Sequence, residues 1–141
     1  MRDFTNRGDV KKAFEPKAAV AADTAQVSTI CDLAGADGAT LCLITGTNAD
    51  ADATFALTMD EGNVANLSDA SAVAAADLIG TLSGGSFNFN DDYEVRKIGY
   101  KGNKRYIRAT ITPSGNTGGT LFLAGVWILS GLRYGPPAFP S

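Results

Sequence analysis

The 141-residue chain has no histidine. The commonest general base and the commonest metal ligand are therefore missing. It has two cysteines, Cys31 and Cys42, which make no zinc site without histidine or further cysteine. Basic charge is missing over a long stretch: between Ala18 and Asp92 there is no Lys or Arg, while Asp and Glu recur. No apolar run reaches the roughly 18 residues of a membrane-spanning helix; the longest covers residues 121–129. The first twelve residues, MRDFTNRGDVKK, are charged where a secretory signal needs an apolar core. The product is accordingly expected to be made and kept in the cytoplasm of its cell, with no membrane partner. Nucleophile chemistry is absent too, since no GxSxG occurs and a hydrolase without histidine would need an unusual dyad. The glycines of SGNTGG are followed by neither Lys-Ser/Thr nor a helix, so they form no phosphate loop. Neither an enzyme nor a cofactor is expected.

What remains is a chain of alanine, threonine and sixteen glycines, a composition that suits strands joined by turns. The length fits one domain, able to bury about 68–70% of its unfolded surface. The stretch from Tyr93 to Ser130 reads as a three-strand meander: YEVRKIGYK, a turn at Gly102-Asn103, RYIRATITP, the loop SGNTGG, and TLFLAGVWILS. It holds the single Trp, and from Tyr93 to Arg133 there are seven basic residues against one acid, Glu94. In the first of these strands Val95 and Ile98 have opposite parity, which predicts a bulge at Gly99. The last strand is apolar on both faces, as expected of a strand central to a sandwich or lying under another subunit. Trp127, mid-strand, is expected in the core.

Upstream, residues 24–32 (TAQVSTICD), 40–45 (TLCLIT) and 54–59 (TFALTM) are strand candidates, the last alternating cleanly. Turn chemistry at Asp37-Gly38 predicts a hairpin that sets Cys31 opposite Cys42. Directly paired strands seldom give relaxed disulfide geometry, so two free thiols are expected, although a bridge stays open. Asp50 and Asp52 lack the further ligands and closing Glu of a calcium loop and read as a solvated turn. A short helix is expected near residues 72–78 and a weak strand near residues 86–89. Residues 1–20 mix charges with isolated Phe4 and Phe14, and Pro16 stops any helix. They read either as a disordered tail or as an arm that docks its two rings on a neighbouring subunit. The segment Gly135-Pro136-Pro137-Ala138-Phe139-Pro140 cannot be helix or mid-sheet and should run along a surface.

The predicted fold is all-β: an antiparallel β-sandwich of jelly-roll type with seven or eight strands and extended N- and C-terminal arms. Its divisions are an arm over residues 1–20, the sandwich over residues 21–135 and a tail over residues 136–141. Phe4, Phe14 and Phe139 are the expected arm anchors at a subunit interface, and Arg105 and Arg108 the expected partners of acids. Those arginines, with Lys101, Lys104, Tyr100 and Tyr106, could also contact nucleic acid. The chain is acidic overall, however, and Arg105 and Arg108 point to opposite faces of a strand, so nucleic acid is not expected as a partner. An acidic first part and a basic second part can attract copies of one chain in a fixed orientation, or can simply mix on one surface.

The segments MRDFTN, TAQVSTICDLAG, ITGTNADADATFALTMDEG, LSDASAVAAADLIGT and VRKIGYKGNKRYIRATITPSGNTGG, in this order, resemble a family of small head-associated virion proteins of tailed bacteriophages and prophages. The most specific piece is IGYKGNKRYIR. The chain departs from the family after its last strand, where Ser130-Gly131-Leu132-Arg133-Tyr134 replaces a Gly-His-Pro-like turn. The resemblance implies a structural virion protein, of capsid-decoration or vertex spike-base type. Its partners would be copies of itself, the major capsid protein and a head fibre protein. The rival expectations are a glycan- or receptor-binding module of a fibre, favoured by aromatics clustered on an exposed loop, and a connector or tail ring protein.

Overall fold

Alternation of apolar and polar side chains sets the architecture of the computed structural model, which describes residues 3–17, 20, 22–118 and 121–135. Eleven strands are described: β1 Asp9–Phe14, β2 Gln26–Val27, β3 Cys31–Asp32, β4 Gly38–Thr45, β5 Thr54–Gly62, β6 Ser71–Ala72, β7 Leu78–Ile79, β8 Phe87–Asn88, β9 Val95–Tyr100, β10 Tyr106–Ser114 and β11 Leu123–Ser130. The first sheet runs β1-β11-β4-β9-β7. The second runs β2-β10-β5-β6, with β3 also on β10 and β8 on β5. All pairings are antiparallel. Taking β2 with β3 as one broken strand and β6 with β8 as another, a 1-8-3-6 sheet faces a 2-7-4-5 sheet. That is the strand order of an eight-strand jelly roll.

The inward faces meet in one core. Leu41, Leu43, Trp127 and Leu129 come from the first sheet, and Phe55, Leu57, Met59, Ile107 and Ile111 from the second. Each such side chain contributes about 1.5–3 kcal/mol by leaving water. Phe55 and Phe87 stack with ring centroids 4.8 Å apart. The Trp127 Nε1–H donates to the Thr29 carbonyl at 3.3 Å, so the indole is buried without a stranded donor.

Four local expectations are corrected. The hairpin expected around Asp37-Gly38 does not form: β3 pairs with β10 in the second sheet and β4 with β11 and β9 in the first. Cys31 and Cys42 lie in different sheets as free thiols. Gly99 forms no bulge, because β9 pairs with β4 in unbroken register from Val95 to Tyr100. The irregularity lies instead in β1, between Lys12 and Phe14. Residues 75–77 form one 3-10 turn, and the single α-helix described, α1, is Leu82–Gly85, started by the Thr81 side chain accepting from the Gly84 N–H. Residues 9–14, read as part of an arm, are an edge strand of the first sheet.

Candidate interaction surface

A jelly roll with a filled core leaves its two outer sheet faces and its loops for contact with anything else. The two faces differ. On the second sheet, outward positions of β5 and β10 are Thr54, Thr58, Thr110 and Thr112, with Asp60 beside Arg108. The Arg108 guanidinium donates to Asp60 at 3.2 Å. Near one end of this sheet Arg105 forms a two-bond fork with Asp32, at 2.9 and 3.0 Å, and lies 5.1 Å from the centre of the Tyr106 ring. The hydrogen bonds from Arg105 hold the Asp32 carboxyl below the usual carboxylate range. Apart from Val27 of β2, which is 54% exposed beside Thr110, this face is polar and its charged pairs are matched.

The first sheet is different. Its registers place Val10, Ile128, Thr40 and Gly99 in one outward row and Lys12, Val126, Cys42 and Lys97 in the next. A third row holds Ala124, Ile44 and Val95. Ile79 of β7 lies against Gly99 at the far edge. Ile44 is 56% exposed, Ile79 62% and Val95 69%. Between the β1 irregularity and the Ile44–Val95 ridge runs an apolar groove of about 360 Å³, floored by Cys42, Ala124 and Val126. The strands of a solvated antiparallel sheet normally turn polar side chains outward. Here only Lys12 and Lys97 are charged, and Lys12 is paired with Glu15. Burial raises the Cys42 thiol pKa, countered in part by Lys97, and pushes that of Cys31, inside the sandwich, up to about 12.

A second groove, of about 500 Å³, is lined by Phe4, Asn6, Arg7, Leu132, Arg133 and Tyr134 among others. Phe4 is 40% exposed and folds over Gly8, where a Cβ would lie 2.1 Å from its ring. The turn beneath it is closed by the Arg7 and Gly8 N–H groups donating to the Phe4 carbonyl.

Behind the surface, one buried polar contact fixes the β9–β10 turn. The Tyr100 hydroxyl donates to Glu61 at 2.6 Å and accepts from the Lys104 N–H at 3.1 Å. Burial, then the bond to Glu61, raises the Tyr100 pKa. Gly102 is required beside it, because a Cβ there would sit 2.5 Å from the Tyr100 hydroxyl oxygen. The spacing Gly-Tyr-Lys-Gly in the most specific stretch of the sequence has this packing as its physical basis.

The expected interface residues are thus spread out. Phe14 is only 6% exposed and belongs to its own chain's core, so in this conformation it is no anchor for a neighbour. Arg105 and Arg108 pair with acids, but with acids of the same chain. Phe139 lies outside the described residues. Sequence reasoning missed Ile44, Ile79 and Val95 as surface residues; the unexplained parity of Val95 was their signal. Among the described residues no group of three or more His, Cys, Asp or Glu could hold a metal ion, and no helix is long and apolar enough to cross a membrane.

No protein-family model matches the chain, and no curated protein matches it. Among solved structures it is similar to a family 29 carbohydrate-binding module from Piromyces equi, with a TM-score of 0.44 and 11% identity over 86% of this chain and 90% of that one. It is also similar to the CBM22-1–GH10 modules of Clostridium thermocellum xylanase 10B (TM-score 0.48, 11% identity, 94% of this chain and 30% of that one). A third likeness is to the xylan-binding module CBM15 (TM-score 0.41, 12% identity, 91% and 92%). With TM-scores below 0.5 these likenesses carry no argument about function.

Proposed function

We propose that this chain is a structural protein of a tailed-phage particle, which assembles with copies of itself and is seated on the outer surface of the head as a decoration protein or as the base of a vertex spike. The virion setting rests on the resemblance of its segments to head-associated proteins. The mechanism rests on one observation: the outer face of the first sheet is aliphatic and uncovered. Strands β4 and β11 are therefore apolar on both sides, as strands covered on both sides are. Covering that face with another chain gains roughly 25 cal/mol per Å² before the costs of association. The major capsid protein and a head fibre protein are the other partners on this reading. Mass spectrometry of purified particles tests it: the chain should be found at a fixed stoichiometry to the capsid protein. Its absence from particles whose host cells express it would overturn the reading.

A second reading, a glycan- or receptor-binding module, is favoured by the groove that brings Phe4 and Tyr134 together with Arg7 and Arg133. Aromatic faces beside a few polar groups are the usual make-up of a small-ligand site. Calorimetric titration of the chain with host surface glycans decides it. Binding that Tyr134→Ala abolishes supports this reading, and no heat at millimolar glycan rejects it.

A further inference from the structure

The self-assembly reading leaves open which surface meets which, and the strand registers narrow the choice. Resting on that reading, we infer that the outer face of the first sheet is a two-fold interface between two copies of this chain, with the axis running along the strands midway between β4 and β11.

Such an axis exchanges β4 with β11 and β9 with β1, row by row. In the row Ala124–Ile44 each Ile44 then falls on the partner copy's Ala124. In the next row Val126 falls on Cys42, and in the next Ile128 falls on Thr40. Phe122 continues the pattern opposite Gly46, whose N–H donates to the Phe122 carbonyl at 2.8 Å. Val10 falls on Gly99 and the Ile79 side chain beside it. A large side chain thus meets a small one in each row. A two-fold interface needs this kind of self-complementarity, because one patch must fit itself. Moving the axis by half a strand spacing, onto β4 or onto β11, breaks it, stacking Ile44 on Ile44 or Ala124 on Ala124.

The apolar face has the size of an interface centre, and a surrounding rim must supply the rest of the area. With strands about 4.8 Å apart and about 3.3 Å per residue, the face measures roughly 20 Å by 20 Å, on the order of 400 Å². That is half of the ~800 Å² that each partner buries in a standard interface, and it matches an apolar interface centre with a polar rim. Stacked faces would keep their strands within about 30° of alignment, as paired sheets do. The chemistry selects a protein surface over a glycan. Its three central rows present mainly aliphatic side chains, with neither a ring to stack on a sugar nor a carboxylate to bind its hydroxyls, and the exposed ring of Phe122 stands only at their end. The one mismatch is Lys97, which falls on the partner copy's Lys12. Lys12 is already paired with Glu15, and both stems can extend their charges to solvent at the flank.

Two readouts on the full chain test this: sedimentation velocity over a dilution series, and the rate of maleimide labelling at Cys42, with buried Cys31 as the unreactive control. The expected result is a dimer whose formation slows Cys42 labelling at least tenfold. Ile44→Lys, at a residue 56% exposed in the single chain, should weaken the dimer more than a hundredfold with an unchanged thermal melt. Lys97→Glu should tighten it several-fold by facing Lys12. A dimer with Cys42 labelled at the monomer rate, or a dimer weakened by Lys97→Glu, would overturn the inference and leave self-assembly standing. A chain that stays monomeric to millimolar concentration would overturn both the inference and self-assembly. Protection of Cys42 only on adding capsid shells would overturn the two-fold and assign the face to the shell.

Discussion

The two outer faces of this sandwich obey one alternation rule and end in opposite chemistry. Outside the second sheet stand threonines and the matched pairs Arg105–Asp32 and Arg108–Asp60. Outside the first stand Ile44, Ile79, Val95 and Val126. Folding does not demand this difference, since the core is complete without either outer face. An aliphatic sheet face left in water opposes solubility, and its retention is understood if another chain covers it. The second face shows what the same backbone looks like when water is its partner.

The comparison can be broken or sharpened by substitution. The largest effect belongs to the core that both sheets share. Leu41→Ala, at a fully buried residue, should cost about 2–5 kcal/mol in denaturant unfolding, far more than any change on either outer face. Next comes the buried contact under the β9–β10 turn. Tyr100→Phe leaves the Glu61 carboxylate buried without its donor and should cost about 1–3 kcal/mol, read by the same unfolding experiment. Substitutions on the outer faces should shift stability by no more than about 0.5 kcal/mol and separate by their effect on association. Val126→Lys on the first face should abolish concentration-dependent sedimentation, and Thr112→Lys on the second should leave it unchanged.

The smallest effect is a pH dependence, to which Glu15 beside β1 contributes through Lys12 and carboxyls of the second sheet and its loops contribute as well. The carboxyl of Asp32 is lowered by hydrogen bonds from Arg105, and that of Asp69 by the Asn63 and Val64 N–H groups. A folded-state pKa below the unfolded value gives stability that is fully present above the unfolded pKa of about 3.9 and is lost as pH falls through the folded values. Thermal melts from pH 5 downward should fall for the wild type and fall less steeply for Asp32→Asn. The exposed setting of these carboxyls keeps the effect small.

How much of this was legible in the sequence varies with how local the cause is. Strands β5 and β10 could be read almost to the residue, because Phe55, Leu57, Met59, Ile107, Ala109 and Ile111 alternate with polar partners. Strand β1 could not. Asp9 and Lys11 occupy its inward parity, and the strand exists because β11 offers it an edge. The hairpin expected around Asp37-Gly38 failed for a similar reason: the turn chemistry is real, but the chain uses it to cross between sheets. The bulge expected at Gly99 came from treating Val95 as a core residue out of phase. Its parity was correct for an outward position, and the error was to assume that an apolar residue must point inward. The apolar second face of β11, by contrast, was visible in the sequence alone, and it marks the centre of the surface proposed as the interface.

The most direct test of the central claim follows methyl resonances by NMR as the chain is diluted. If the outer face of the first sheet is the contact, the methyl signals of Ile44, Val95 and Val126 shift with concentration while that of Val27, equally exposed on the second sheet, stays fixed. Movement of Val27 with Ile44, Val95 and Val126 stationary would contradict the account.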